Sequence, residues 1–144
     1  MLFSSSASNR RVFVSYDHSE DAHYKRLLEA WDANSNFDFQ FDQRSPSVAI
    51  NSVNAGPIKT ALTKKLKESE ILLVLVGAKT KDSDWVNWEI GRAKMSDIRL
   101  KLAAVKLSSV NTSPSGLLNA GTAWATSFKR DHILDALRNA RVGY

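Results

Sequence analysis

Ile71-Leu72-Leu73-Val74-Leu75-Val76 is the longest apolar run in the sequence. Six consecutive apolar residues without polar alternation fit a strand buried on both faces, as in a parallel sheet covered by helices. The run is far too short to cross a bilayer, which takes about 20 residues as a helix. It is therefore expected at the centre of a sheet. On its N-terminal side, Gly56-Pro57 opens a helix with proline in the tolerated first turn, and Ile58, Ala61, Leu62 and Leu66 supply a buried stripe. On its C-terminal side, a loop from Gly77 to Asp82 leads to Ser83 as N-cap, and Val86, Ile90 and Ala93 mark the core side of the next helix.

Further out, Arg11-Val12-Phe13-Val14-Ser15-Tyr16 is β-branched and aromatic and ends in the polar cluster Asp17-His18-Ser19, as a strand does on entering a loop. From Ser19 to about Asn34, Tyr24, Leu27, Leu28 and Trp31 form an amphipathic stripe, with Glu20 and Asp21 in the first turn where the helix dipole favours them. Phe37-Asp38-Phe39-Gln40-Phe41 alternates strictly and suits an edge strand. The polar stretch from Asp42 to Ala55 is long for a connection, and loops of this kind often carry function. Leu100 to Leu107 reads as a fourth strand, Asn111 to Gly121 as a loop, Thr122 to Phe128 as a fifth strand, and Ile133, Leu134 and Leu137 as the buried side of a closing helix. Alternating strands and helices predict an α/β, flavodoxin-like three-layer fold, a five-stranded parallel sheet with helices on both faces. With 144 residues, one domain over residues 11–144 is expected behind a flexible N-terminal tail of residues 1–10.

Composition excludes several classes. The sequence has no cysteine, which removes disulfide frameworks and thiolate metal sites and fits a reducing compartment, so a cytoplasmic location is expected. Its start lacks the charged lead and long apolar stretch of a secretory signal. A net charge of +5 favours an anionic partner, but the basic residues are scattered and form no recognition helix, so neither nucleic acid nor membrane is the expected partner. The sequence contains no Gly-rich phosphate loop and no G-x-S-x-G elbow. His18, His23 and His132 lack metal-ligand spacing, and no metal site is expected.

In parallel sheets of this kind ligands bind beyond the carboxyl ends of the strands. That rule gathers Tyr16, Asp17, His18, the Asp42 to Ala55 loop and the start of the Ser83 helix along one rim. Trp85 and Glu89, four residues apart, project side by side there, about 40° apart around the helix. An indole offers a face for stacking a planar ring, and a carboxylate offers acceptors for ribose hydroxyls or compensating charge for a cationic sugar. Cleavage of an N-glycosidic bond needs both. Spacing alone leaves a plainer reading open, with Trp85 as core filler and Glu89, at the margin of the Val86 stripe, as an ordinary solvated residue. His18 can likewise be a loop histidine without a task, and Ser15, Tyr16 and Asp17 simple strand-end caps.

Phe13-Val14-Ser15-Tyr16 followed by Asp17-His18, the Phe39-Gln40-Phe41 strand, Val76-Gly77, and the Thr80 to Ile90 stretch with its Ser83, Trp85-Val86 and Glu89-Ile90 together resemble the motifs of TIR domains. The pattern is most similar to bacterial TIR-like proteins of the Thoeris B type, over roughly residues 11 to 107. The resemblance implies an antiphage defence enzyme that responds to a phage-derived trigger. It would cleave NAD as substrate, with no cofactor, release nicotinamide and make a cyclic or conjugated ADP-ribose signal for a separate effector protein. It implies Glu89 and His18 as catalytic residues, and Ser15, Tyr16, Asp17, Ser83 and Trp85 as substrate-binding. It also implies self-association into a homo-oligomer, with the loop after the second strand as contact and pocket wall. The competing readings are a non-catalytic adaptor acting through that loop, and an enzyme on the same scaffold taking a different nucleotide.

Overall fold

The computed structural model describes residues 10–17, 24, 26–28, 30, 39–43 and 48–144. Its strands are β1 (Arg10–Ser15), β2 (Phe39–Gln43), β3 (Ile71–Val76), β4 (Lys101–Lys106) and β5 (Ala123–Ala125). Three helices are bounded within the described residues, α1 (Ala55–Lys67), α2 (Asp84–Lys94) and α3 (Arg130–Asn139). Tyr24, residues 26–28 and Ala30 are also helical, between β1 and β2.

The five strands form one sheet in the order β2-β1-β3-β4-β5, and every neighbouring pair is parallel. Parallel neighbours cannot be joined by a tight turn, so each connection crosses a face of the sheet. Helical residues lie on the crossings that follow β1, β2 and β3, whereas the one from β4 to β5 carries only the short 3-10 turn Ser115–Leu117. The expected flavodoxin-like architecture is present, with β3 at the centre and β2 at an edge. All six residues of β3 are fully buried.

Alternation along the strands sorts the core onto two faces. Val12, Val14 and Tyr16 of the first strand segment pack with Ile71, Leu73, Leu75, Leu28 and the α3 residues Ile133, Leu134 and Leu137. Phe13 packs on the other face with Leu72, Val74, Val76, the α1 residues Leu62 and Leu66, and the α2 residues Trp85, Val86, Ile90 and Ala93. Ser15, two residues after Phe13, lies on this second face, beneath α2.

Several boundaries depart from those expected. Arg10, placed in the tail by sequence, is the first residue of β1, because it pairs with Phe39; residues 1–9 lie outside the described residues. β2 extends two residues past the Phe alternation, since its pairing with β1 carries it to Gln43, while Phe37 and Asp38 lie outside the described residues. β5 is three residues rather than seven, matching only Ala103 to Val105 of β4. Leu27 and Ala61, assigned to buried stripes, are exposed, and Ala55 takes a buried place at the start of α1. Among the described residues no helix is long and apolar enough to cross a membrane.

Candidate active site

α2 begins beyond the carboxyl end of β3. Thr80, fully buried, shapes the connection: its hydroxyl accepts from the Gly77 amide at 2.7 Å and donates to the Leu75 carbonyl at 3.2 Å. Ser83 then caps the helix, its Oγ accepting from the Val86 amide at 3.3 Å. Asn87 pins the same turn, donating to the carbonyls of Lys81 and Ser83 at 3.0 Å each. This cap fixes the first two turns of α2, and with them Trp85 and Glu89.

Glu89 is 1 % exposed, so the reading of it as a solvated surface residue is overturned. The helix stripe of Val86, Ile90 and Ala93 is wider than those three residues imply and takes Glu89 into the interface with the sheet. There the fully buried Ser15 at the end of β1 donates its hydroxyl to Glu89 Oε1 at 2.6 Å. Glu89 Oε2 is also buried, and among the described residues it has no hydrogen-bond partner. A buried polar atom without a partner carries a desolvation cost of about 1–3 kcal/mol, and native proteins keep few of them, commonly where strain or a catalytic role explains the cost. Burial pushes the Glu89 carboxyl up from 4.5 to about 8, against the Ser15 hydroxyl, which favours the charged form and lowers it.

Trp85, one turn earlier and 8 % exposed, donates its indole N–H to the Val48 carbonyl at 2.6 Å. Its ring meets Trp88 edge-on, with centroids 5.9 Å apart and planes at 79°. The indole thus fastens the loop after β2 to the helix that carries Glu89. Val48 and Ile50 pack against the same core cluster, and the loop closes with turns onto Ala55. Ser52 Oγ in this loop is buried and, among the described residues, unpartnered.

The residues singled out by sequence therefore separate. Ser15 and Glu89 are in direct contact, and Trp85 joins them through α2 and the loop. Ser83 uses its hydroxyl as a helix cap. Tyr16 is buried in the core cluster of the opposite face of the sheet, with Leu73, Leu75 and Ile133. Asp17 lies just past the end of β1, half-buried. His18 lies outside the described residues. One participant escaped the sequence reading, the Val48 carbonyl, which no side-chain motif announces; Thr80 stands at the head of the Thr80 to Ile90 motif but had no role assigned to it. Among the described residues no cluster of His and acidic groups is arranged to hold a metal ion.

The constellation is a buried carboxyl at the carboxyl end of β1, one oxygen held by Ser15 and the other buried without a partner among the described residues, on a helix latched by its tryptophan to the loop after β2. No curated protein matches the chain. Residues 13–112 match the family model of the Thoeris protein ThsB, TIR-like domain, and this stretch contains every one of the site residues just described. With more than half of its length matched and the expected fold in place, the chain belongs to the ThsB TIR-like domain family, which gives it a role in Thoeris antiphage defence.

Proposed function

We propose that the protein is a signalling enzyme that cleaves NAD, releasing nicotinamide and making a cyclic or conjugated ADP-ribose signal for a separate effector. The observation that carries this reading is Glu89: a carboxyl buried at the carboxyl end of the sheet whose Oε2 has no hydrogen-bond partner among the described residues. In the reaction the bond between the nicotinamide nitrogen and ribose C1′ breaks, and its electron pair leaves with nicotinamide, neutralising the ring. C1′ is left with oxocarbenium character. A carboxylate in a low-dielectric site stabilises that charge far better than water does. Water attacking C1′ gives ADP-ribose and a proton, whereas a nucleophile from the same NAD molecule gives a cyclic product.

Without substrate, burial keeps Glu89 protonated near neutral pH. The fixed positive charge of the nicotinamide ring favours its ionisation, so the anion forms when the cation arrives. Because Glu89 is 1 % exposed, the rim must open for a ligand to reach it. Association of copies of the chain through the loop after β2 supplies that opening and completes the pocket wall.

The test incubates concentrated protein with NAD, with and without extract of phage-infected cells, and follows nicotinamide release and products by mass spectrometry beside Glu89→Gln. Turnover that disappears in Glu89→Gln is expected. Absence of turnover in every condition would leave the adaptor reading, and equal turnover in both proteins would displace Glu89 from the centre of the chemistry.

A further inference from the structure

We infer that Ser15 is the positioning residue of the Glu89 carboxyl: its hydroxyl fixes Oε1 and the plane of the group, leaving Oε2 as the single oxygen turned toward a ligand. The inference rests on the reading of Glu89 as the carboxyl that meets an NAD ribose. It also takes Ser15 out of the set expected to touch the substrate.

Ser15 is the last residue of β1 and pairs with Val74 of β3, the central strand, so its backbone is held by the most buried part of the sheet. A hydroxyl has one proton to donate. Here that proton goes to Glu89 Oε1 at 2.6 Å, a short bond of the kind made to carboxyl groups, in a site from which water is excluded. Glutamate reaches this point through three side-chain torsions, and the capped first turn of α2 fixes only its base. The Ser15 contact is what stops the carboxyl from rotating about the last of them. An off-axis carboxyl would present neither oxygen at the distance a developing charge at C1′ requires.

The same contact opposes burial, since the hydroxyl stabilises the ionised form. No charge from β3 or from residues 48–54 assists it, because neither segment contains an ionisable side chain. Among the described residues the ionisable side chains on the two elements that meet here are Arg10 and Arg11 at the far end of β1, Asp17 just past its near end, and Asp84, Arg92 and Lys94 on α2, where Lys94 donates to the Gly116 carbonyl. Arg92 is occupied by Asp97, with both guanidinium nitrogens on the carboxylate at 2.8 and 2.9 Å.

Ser15→Ala, Ser15→Thr and the unaltered protein are compared in two measurements. In steady-state kinetics with NAD, Ser15→Ala is expected to lose about tenfold or more in kcat, with KM changed less than about twofold, and Ser15→Thr to recover most of the loss. In a carbon-13 NMR titration of the glutamate carboxyls, with Glu89→Gln identifying the signal, the Glu89 midpoint is expected higher in Ser15→Ala than in the unaltered protein. A raised KM with kcat retained would mean that Ser15 touches substrate and would overturn the inference. An unchanged Glu89 midpoint in Ser15→Ala would overturn it as well. The titration needs no catalysis, so a protein inactive on NAD would count against the proposed reaction while the carboxyl titration still decides the role of Ser15.

Discussion

At the scale of one residue, burial of Glu89 sets a pH dependence that stability measurements can read without any substrate. The unfolded chain ionises this carboxyl at its ordinary value of 4.5, whereas the folded protein keeps the proton to about 8. Between those values the folded state binds more protons than the unfolded state. The contribution to stability is therefore fully present below about pH 4.5 and is lost as the pH rises through 8. A gap of this kind corresponds to on the order of 5 kcal/mol across the window. Glu89→Gln removes the ionisation but keeps an acceptor for Ser15, at the cost of a buried amide N–H₂ in place of Oε2, about 1–3 kcal/mol. The variant is expected to be somewhat less stable than the unaltered protein at acid pH and more stable at alkaline pH, with the urea-unfolding curves crossing between. Parallel pH profiles for the two proteins would show that the carboxyl does not hold its proton in the fold.

At the scale of elements, the contact that joins α2 to the loop after β2 is a single indole N–H. Trp85→Phe keeps an aromatic ring in the core but removes the donor to Val48, leaving that carbonyl to find water. A loss of about 1–2 kcal/mol is expected, together with faster hydrogen exchange confined to the amides of residues 48–54. Exchange unchanged there would mean that the loop is held by the packing of Val48 and Ile50 alone. How far such elements can be read from sequence depends on what sets their limits. β3 was legible to the residue because six apolar side chains have no other place than a sheet centre, and the Ser83 cap and the Val86, Ile90, Ala93 face of α2 follow from local chemistry. β2 and β5 were not, because strand ends are set by the partner's register, which no local pattern contains. The Ser15 to Glu89 contact was half legible. Alternation from Phe13 puts Ser15 on the face of α2, yet which turn of the helix settles above it depends on how the capped loop from Gly77 delivers that helix. Leu27 and Ala61 fell within a plausible stripe and turned out exposed, since a stripe's width is decided by the neighbouring element.

At the scale of the whole molecule, the end of the sheet remote from the site is closed by residues 143 and 144. The Tyr144 hydroxyl donates to the Leu100 carbonyl at 2.6 Å, just ahead of β4, and Lys94 at the end of α2 places its ammonium 5.5 Å from the ring centroid while donating to the Gly116 carbonyl at 2.9 Å. Gly143 lies against Gly121, which has φ of 70°, and a Cβ on Gly121 would stand 2.7 Å from the Gly143 Cα. One segment thus ties together α2, the start of β4 and the turn that leads to β5. Gly121→Ala meets both a left-handed backbone and a backbone neighbour that cannot swing aside, so a loss of about 2 kcal/mol or more is expected, whereas Tyr144→Phe removes one hydrogen bond for about 1 kcal/mol. Because both changes release the same segment, the double variant is expected to lose clearly less than the sum of the two in urea unfolding, the signature of coupled sites. Both positions lie away from Glu89, so the activity per folded molecule should stay unchanged in all three variants. Strict additivity would show that residues 143 and 144 make two independent contacts, and that the closure of this end does not act as one unit.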